Sequence, residues 1–313
     1  MRGALASLLL GLAAAAPAAA QELALAPAAA RELRQLCTDD RGRLWGVSLC
    51  GPLIVADPAT RQVWASDQDP EGRLVRSGEG WSGVMEPDAP IANGAVEWAG
   101  VRWIMAVAPL PDDAAERRVL LAHEAWRRVQ PQLGLAAQPT DAAHLETERG
   151  RTLMRLEMRA LATALRSRGQ ARRNAAQDAL VLRGARLQEM AGAFAQEAAL
   201  DRNEGLAAYT SVRLGAPDQP EIFAARTLDR YDGHPALARS YAYATGPAYG
   251  LLLDDYRRAW RGELGVYAPA DLLNSVLAAP VGDRQRLARA AERYGEASVA
   301  AEERARAQAQ PSR

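Results

Sequence analysis

Around Pro109-Leu110-Pro111-Asp112-Asp113 the chain changes its hydrophobic period, and that change restricts it to architectures in which strands come first and helices after. From about residue 43 to 108 short apolar runs (RLWGVSL, LIVAD, RQVWAS, RLVRS, AVEWAG and VRWIMAVAPL) are separated by Gly, Pro, Asp and Asn, the punctuation of strands. Beyond Asp113 the stretches are rich in Ala, Leu, Arg and Glu, with apolar residues three and four apart. That is the period of helices, predicted over 113–130, 142–168, 171–197, 202–214, 219–229, 236–260, 269–278 and 283–307. The fold class that follows is α+β: a small antiparallel sheet in a strand-rich part over 21–110, then a mainly helical part over 111–313 with a polar C-terminal tail.

The first twenty residues, MRGALASLLLGLAAAAPAAA, place Arg2 before an apolar run that exits through small residues, and so read as a secretory signal peptide. The run is short and Ala-rich for a span, and YAYATGPAYGLLL (241–253) carries Gly246-Pro247 and reads as a core helix, so no stable membrane span is expected after removal of the leader. Export to the periplasm or the medium would let Cys37 and Cys50 pair; two isolated buried thiols are the alternative. The 38 basic residues, all Arg, balance 38 acidic ones, so no global field attracts nucleic acid. The absence of Lys excludes Schiff-base, P-loop and Ser-x-x-Lys chemistry. Trp45, Trp64, Trp81, Trp98 and Trp103 fall in the strand-rich stretch and are expected to pack across strands.

Three histidines, His123, His144 and His234, bound any site that needs imidazole. His123 opens His123-Glu124-Ala125-Trp126-Arg127 on the first helix after the last strand. In an H-E-x-x-H helix two His at i and i+4 grip one Zn²⁺ and the Glu polarises its water; here the fifth position is Arg127. A second segment, Asn203-Glu204-Gly205-Leu206-Ala207, lies on a later helix.

The sheet-then-helix order and these two segments resemble the gluzincin class of metallopeptidases, which takes a third metal ligand from such a Glu. More of the chain is similar to exported bacterial proteins with gluzincin-like features, over most of 43–255: WGVSLCGPLIVADP, AVEWAGVRWIMAVAPLP, HEAWRRVQPQLGL, AHLETERGRTLMRLEMRAL, NEGLAAYT and YATGPAYGLLLD. The resemblance implies a zincin-like helical domain with His123 and Glu204 as zinc ligands and Glu124 as general base, the stretches 142–168 and 171–197 being inserted between the ligands. Arg127 departs from the pattern.

A guanidinium cannot ligate Zn²⁺ and stays charged. Either Arg127 pairs with Glu204 or Glu124 in the place of the ion, or it turns to solvent and His144 supplies the missing nitrogen. His234, Tyr209, Tyr241 and Tyr243 are candidate donors to an oxyanion, with a turn His and core tyrosines as the simpler reading. Glu146, Glu148 and Glu157 with Arg151, Arg155 and Arg159 are expected to form a solvated, ion-paired helix face. The function expected is that of a metallopeptidase-like protein with a degenerate motif, weak or inactive in hydrolysis, meeting a peptide or protein; the alternative is a non-catalytic helical protein that binds such a partner.

Overall fold

The computed structural model describes residues 22–135, 140–265 and 267–309, so the leader read at 1–20 lies outside the described residues. Six strands, β1 (Leu53–Ala56), β2 (Gln62–Ala65), β3 (Val75–Ser77), β4 (Gly80–Val84), β5 (Gly94–Trp98) and β6 (Val101–Val107), form one sheet in the order β3-β4-β2-β1-β6-β5. The fold is α+β, but the sheet is mixed rather than purely antiparallel: β1 lies parallel to β6, with Leu53 opposite Ile104 and Ala56 opposite Val107. Both strands are apolar on both faces, which suits a central place in a sheet, so the chain returns from β5 to put β6 against the open side of β1.

Side chains alternate across this sheet. Leu53, Val55, Ile104 and Ala106 face the helices, whereas Ile54, Ala56, Trp103 and Met105 join a second apolar cluster with Leu74, Met85 and Trp98 on the other side. The run 43–49, expected as a strand, is a turn in which Gly42 and Gly46 take φ of 71° and 74°. It delivers Trp45 into the helical core, 5.5 Å from Trp126 and 6.2 Å from Trp260 between ring centroids. There the Trp45 indole N–H donates to Thr210 Oγ1 at 2.9 Å, so Trp45 joins turn to helices rather than strand to strand.

The helices are α1 (Ala26–Asp40), α2 (Ala114–Val129), α3 (Glu148–Arg166), α4 (Gly169–Glu189), α5 (Ala193–Leu200), α6 (Leu206–Gly215), α7 (Pro220–Tyr231), α8 (Leu237–Tyr256), α9 (Pro269–Leu277), α10 (Arg284–Arg293) and α11 (Glu296–Ala309). The sequence reading does not include α1, although its buried Ala26, Ala29, Ala30, Leu33 and Cys37 keep a helical period. Where one helix was expected over 171–197, α4 ends before Gly192 and a new helix begins. Among the described residues no helix is long and apolar enough to cross a membrane.

The polypeptide reaches α2 directly from β6. Asp113 starts that helix by accepting from the backbone N–H groups of Ala115 and Glu116, each at 2.9 Å, a cap contributing about 1 kcal/mol. Leu121, Trp126 and Val129 anchor α2 in the core, each burial contributing about 1.5–3 kcal/mol. Helices α5 and α6 form one rod interrupted by a π-helical turn, Asp201–Gly205. On the far side α8 comes so close that a Cβ at Gly246 would lie 2.3 Å from Gly205 Cα, and one at Gly250 would lie 2.1 Å from the Tyr209 ring.

Candidate functional site

Four residues apart on α2, His123 and Arg127 present one face of the helix, and that face meets the π-helical turn. The turn inserts an extra residue into the rod and brings Glu204 to them; turns of this kind recur where a helix must aim a functional side chain. His123 Nε2 lies 3.7 Å from Glu204 Oε2, and an Arg127 guanidinium nitrogen lies 2.5 Å from Glu204 Oε1. The other guanidinium nitrogen of Arg127 donates to Asn203 Oδ1 at 2.5 Å, to the Asn203 carbonyl at 3.2 Å and to Gln130 Oε1 at 3.1 Å. Asn203 Nδ2 donates to the same Glu204 oxygen at 3.2 Å. Of the two arrangements open from sequence, Arg127 takes the one in which it pairs with Glu204.

Burial sets the protonation of this group. Desolvation, and then the neighbouring charge of Arg127, pushes the His123 imidazole down to about 3, so it is neutral at ordinary pH. Glu124, only 4% exposed, is pushed up to about 8 by burial against the opposing pull of Arg127, with the Glu204 carboxylate adding to the rise. It therefore carries its proton near neutrality. Tyr243 stacks on His123, ring centroids 5.5 Å apart and planes 20° from parallel, and burial together with Glu204 raises its hydroxyl well above the ordinary tyrosine value.

The zinc implied by the resemblance can be tested against these donors. Two ligands about 2.1 Å from a tetrahedral ion stand about 3.4 Å apart, so the His123–Glu204 gap of 3.7 Å is near ligand spacing, and Glu204 Oε2 is buried with no hydrogen-bond partner. The third corner, however, is held by a guanidinium with no lone pair and a fixed positive charge. Two donors beside that cation do not fit a structural or catalytic zinc, which needs at least three protein ligands. Among the described residues no group of three or more His, Cys, Asp or Glu side chains could hold a metal ion.

His144 belongs elsewhere, which removes it as a substitute ligand. Its Nε2 lies 2.8 Å from Glu197 Oε1 and its Nδ1 3.1 Å from Gln196 Oε1. Glu197 is fully buried between Arg186, at 2.6 Å, and Arg183, at 3.0 Å; burial pushes its carboxyl up, but the two guanidinium groups hold it well below the usual range. Glu157 pairs with Arg186 at 2.6 Å and accepts from the Tyr249 hydroxyl at 2.7 Å. Tyr241 donates to Asp201 Oδ1 at 3.1 Å in the same network and is not at the His123 site.

The expected solvated face of α3 is likewise corrected. Glu157 and Arg151 are fully buried, and Arg151 and Arg155 bind Glu303 of α11 at 2.6 and 2.9 Å. Helical spacing showed that these charges share an element and could not show that another helix covers it. Tyr209, a candidate donor, instead packs among Trp45 and Trp260 and donates a hydrogen bond from its hydroxyl to Asp254, 2.8 Å away. Burial and the Asp254 carboxylate raise that hydroxyl well above its ordinary value.

His234 stacks on Tyr231 with centroids 4.9 Å apart and accepts at Nδ1 from the Ala236 backbone N–H at 3.2 Å. It lines a cleft of about 390 Å³ between α2, α6 and α7, whose walls include Val119, Leu120, Phe223 and Tyr243. Tyr243 thus joins this cleft to the His123 group. Sequence reasoning missed Gln130 as a member; it lies one turn beyond Arg127, a spacing that could have signalled it. Comparison with family models, with curated proteins and with solved structures finds no match to this chain.

Proposed function

We propose that this chain is an exported protein of gluzincin-like descent in which an Arg127–Glu204 ion pair stands in the place of the metal, and that it binds a peptide or protein segment in the adjoining cleft rather than hydrolysing it. The observation that carries this reading is the 2.5 Å contact between Arg127 and Glu204 with His123 3.7 Å from the same carboxylate. His123 and Glu204 match ligand positions of the resemblance, Arg127 stands where the second His would be, and the substitution satisfies a carboxylate that would otherwise be buried alone. A Glu124 that keeps its proton near neutrality supports the loss of hydrolysis. The cleft beside α2 offers apolar walls and the rings of Tyr231, His234 and Tyr243, which suits side chains of a peptide more than a small polar solute. The disulfide joining Cys37 and Cys50 supports an oxidising compartment.

Zinc content and zinc affinity of the purified protein test this, wild type beside Arg127→His. Zinc bound stoichiometrically only by Arg127→His supports a site closed by one residue. Stoichiometric zinc in the wild type would overturn the ion-pair replacement, and zinc in neither would overturn the descent.

A further inference from the structure

On the sheet side of α2, away from His123, lies a larger cleft of about 690 Å³ between α1, the Cys37–Cys50 disulfide and the starts of β1 and β6. Its apolar lining comes from Ala30, Leu33, Leu53 and Val101, and its charged lining from Arg34, Arg128 and Asp67. The size falls within the range of about 300–1,000 Å³ that small-molecule sites occupy, and a mainly apolar wall with a few placed polar groups is the composition such sites share.

Arg128 distinguishes this cleft from a surface irregularity. Its side chain lies across Gly51, where a Cβ would come within 2.9 Å of the guanidinium carbon. Its Nε donates to the Arg102 carbonyl at 3.1 Å and one terminal nitrogen donates to the Cys50 carbonyl at 3.3 Å. Two backbone oxygens from separate segments thus fix the group, using two of five N–H donors and neutralising none of its charge. Among the described residues neither Arg128 nor Arg34 is within salt-bridge distance of a carboxylate, and Asp67, the acidic member of the lining, accepts from Ser66 Oγ at 2.5 Å. A half-buried cation positioned by neutral acceptors keeps donors and charge for an anion, at little cost in ordering when the anion arrives.

We propose that this cleft binds an amphipathic carboxylate, with the acid group on Arg128 and Arg34 and a hydrocarbon chain along Pro52 and Val101, over the buried Leu33 and Leu53. The site is separate from the Arg127–Glu204 group: Arg127 and Arg128 are adjacent on α2, but one turns to the π-helical turn and the other to the sheet.

Titration calorimetry with decanoate, decan-1-ol and acetate, at concentrations below micelle formation, tests it. Decanoate should saturate one site and bind at least tenfold more tightly than either control, which lacks the charge or the chain. Arg128→Gln should weaken decanoate at least tenfold, and Arg34→Gln, an exposed position whose loss does not threaten folding, should weaken it several-fold. Thermal melting of each variant establishes that it is folded. The proposal is overturned if decanol binds as tightly as decanoate, if no saturable decanoate site exists, or if both folded variants bind decanoate as the wild type does.

Discussion

Arg127 holds Glu204 by a 2.5 Å contact to one carboxylate oxygen, while His123 stands 3.7 Å from the other oxygen without reaching it. The carboxylate side chain is only 12% exposed and the guanidinium 23%, so removing either charge strands the other in a poorly hydrated place. Arg127→Met is expected to cost about 2–3 kcal/mol in urea unfolding. Adding Glu204→Gln should return at least about 1 kcal/mol of that, a coupling a double-mutant cycle reads directly. Additive single effects would mean that the pair contributes nothing.

Glu124 makes stability fall as pH rises between about 4.5 and 8. Its carboxyl is pushed up to about 8 in the folded protein from an ordinary 4.5, so between those values the unfolded chain has released a proton that the folded chain keeps. Stability contributed by this group is therefore lost as pH rises from about 4.5 toward 8, by on the order of 5 kcal/mol in all. Urea unfolding at pH 5 and pH 9 should show Glu124→Gln losing less than the wild type. Parallel losses would place the carboxyl in water.

His123 acts in the opposite sense. The folded imidazole stays neutral down to about 3, whereas the unfolded one protonates near 6.5, so its contribution is full above 6.5 and declines as pH falls. In NMR spectra its ring protons should show no titration between pH 7 and pH 4.5. A midpoint near 6.5 would show the ring to be solvated.

The approach of α8 to the π-helical turn is a backbone-to-backbone contact. Gly246→Ala places a methyl group 2.3 Å from Gly205 Cα and is expected to cost about 3 kcal/mol or more. Gly262→Ala, where a Cβ meets nothing within 4 Å, should stay within about 0.5 kcal/mol of wild type. Equal melting temperatures for the two variants would contradict the contact.

The disulfide closes a loop of sequence separation 13 that carries Trp45 into the core. Replacing both cysteines by serine should lower stability by about 3 kcal/mol, measured against the oxidised wild type. No change on replacement or on reduction would mean that Trp45 anchors the loop unaided.

Period and punctuation made the two halves of the fold legible, because strands and helices write their burial into different spacings. The parallel pairing of β1 with β6 was not legible: LIVA and WIMA show that both strands are buried on both faces, and no local signal says which neighbour each takes. Gly42 and Gly46 turned an apparent strand into a turn, and the apolar residues of RLWGVSL that reach inward, Trp45 and Leu49 with Leu44 and Val47 beside them, do so from that turn rather than from alternating strand positions. At the site, His123, Arg127 and Glu204 were named together from two short segments and do meet, whereas His144 and Tyr209 went to partners remote in sequence, Glu197 and Asp254. Pairing across helices depends on how the helices lie, and residue type carries no record of that.

The π-helical turn at Asp201–Gly205 also implies a kind of genetic fragility. A rod with one residue more than regular winding requires can lose that residue and remain a helix, so a single-codon deletion there would be tolerated by the backbone. Because the π turn absorbs the extra residue locally, its loss would leave the helices on either side in phase and remove only the widened turn that aims Glu204. Glu204 and Arg127 could no longer face each other while Tyr209 and Glu197 both kept their places. Length variation at this one turn would thus change which side chain faces α2 while the helices on either side stayed where they are, and any descendant lacking the residue would have to rebuild its site from other side chains.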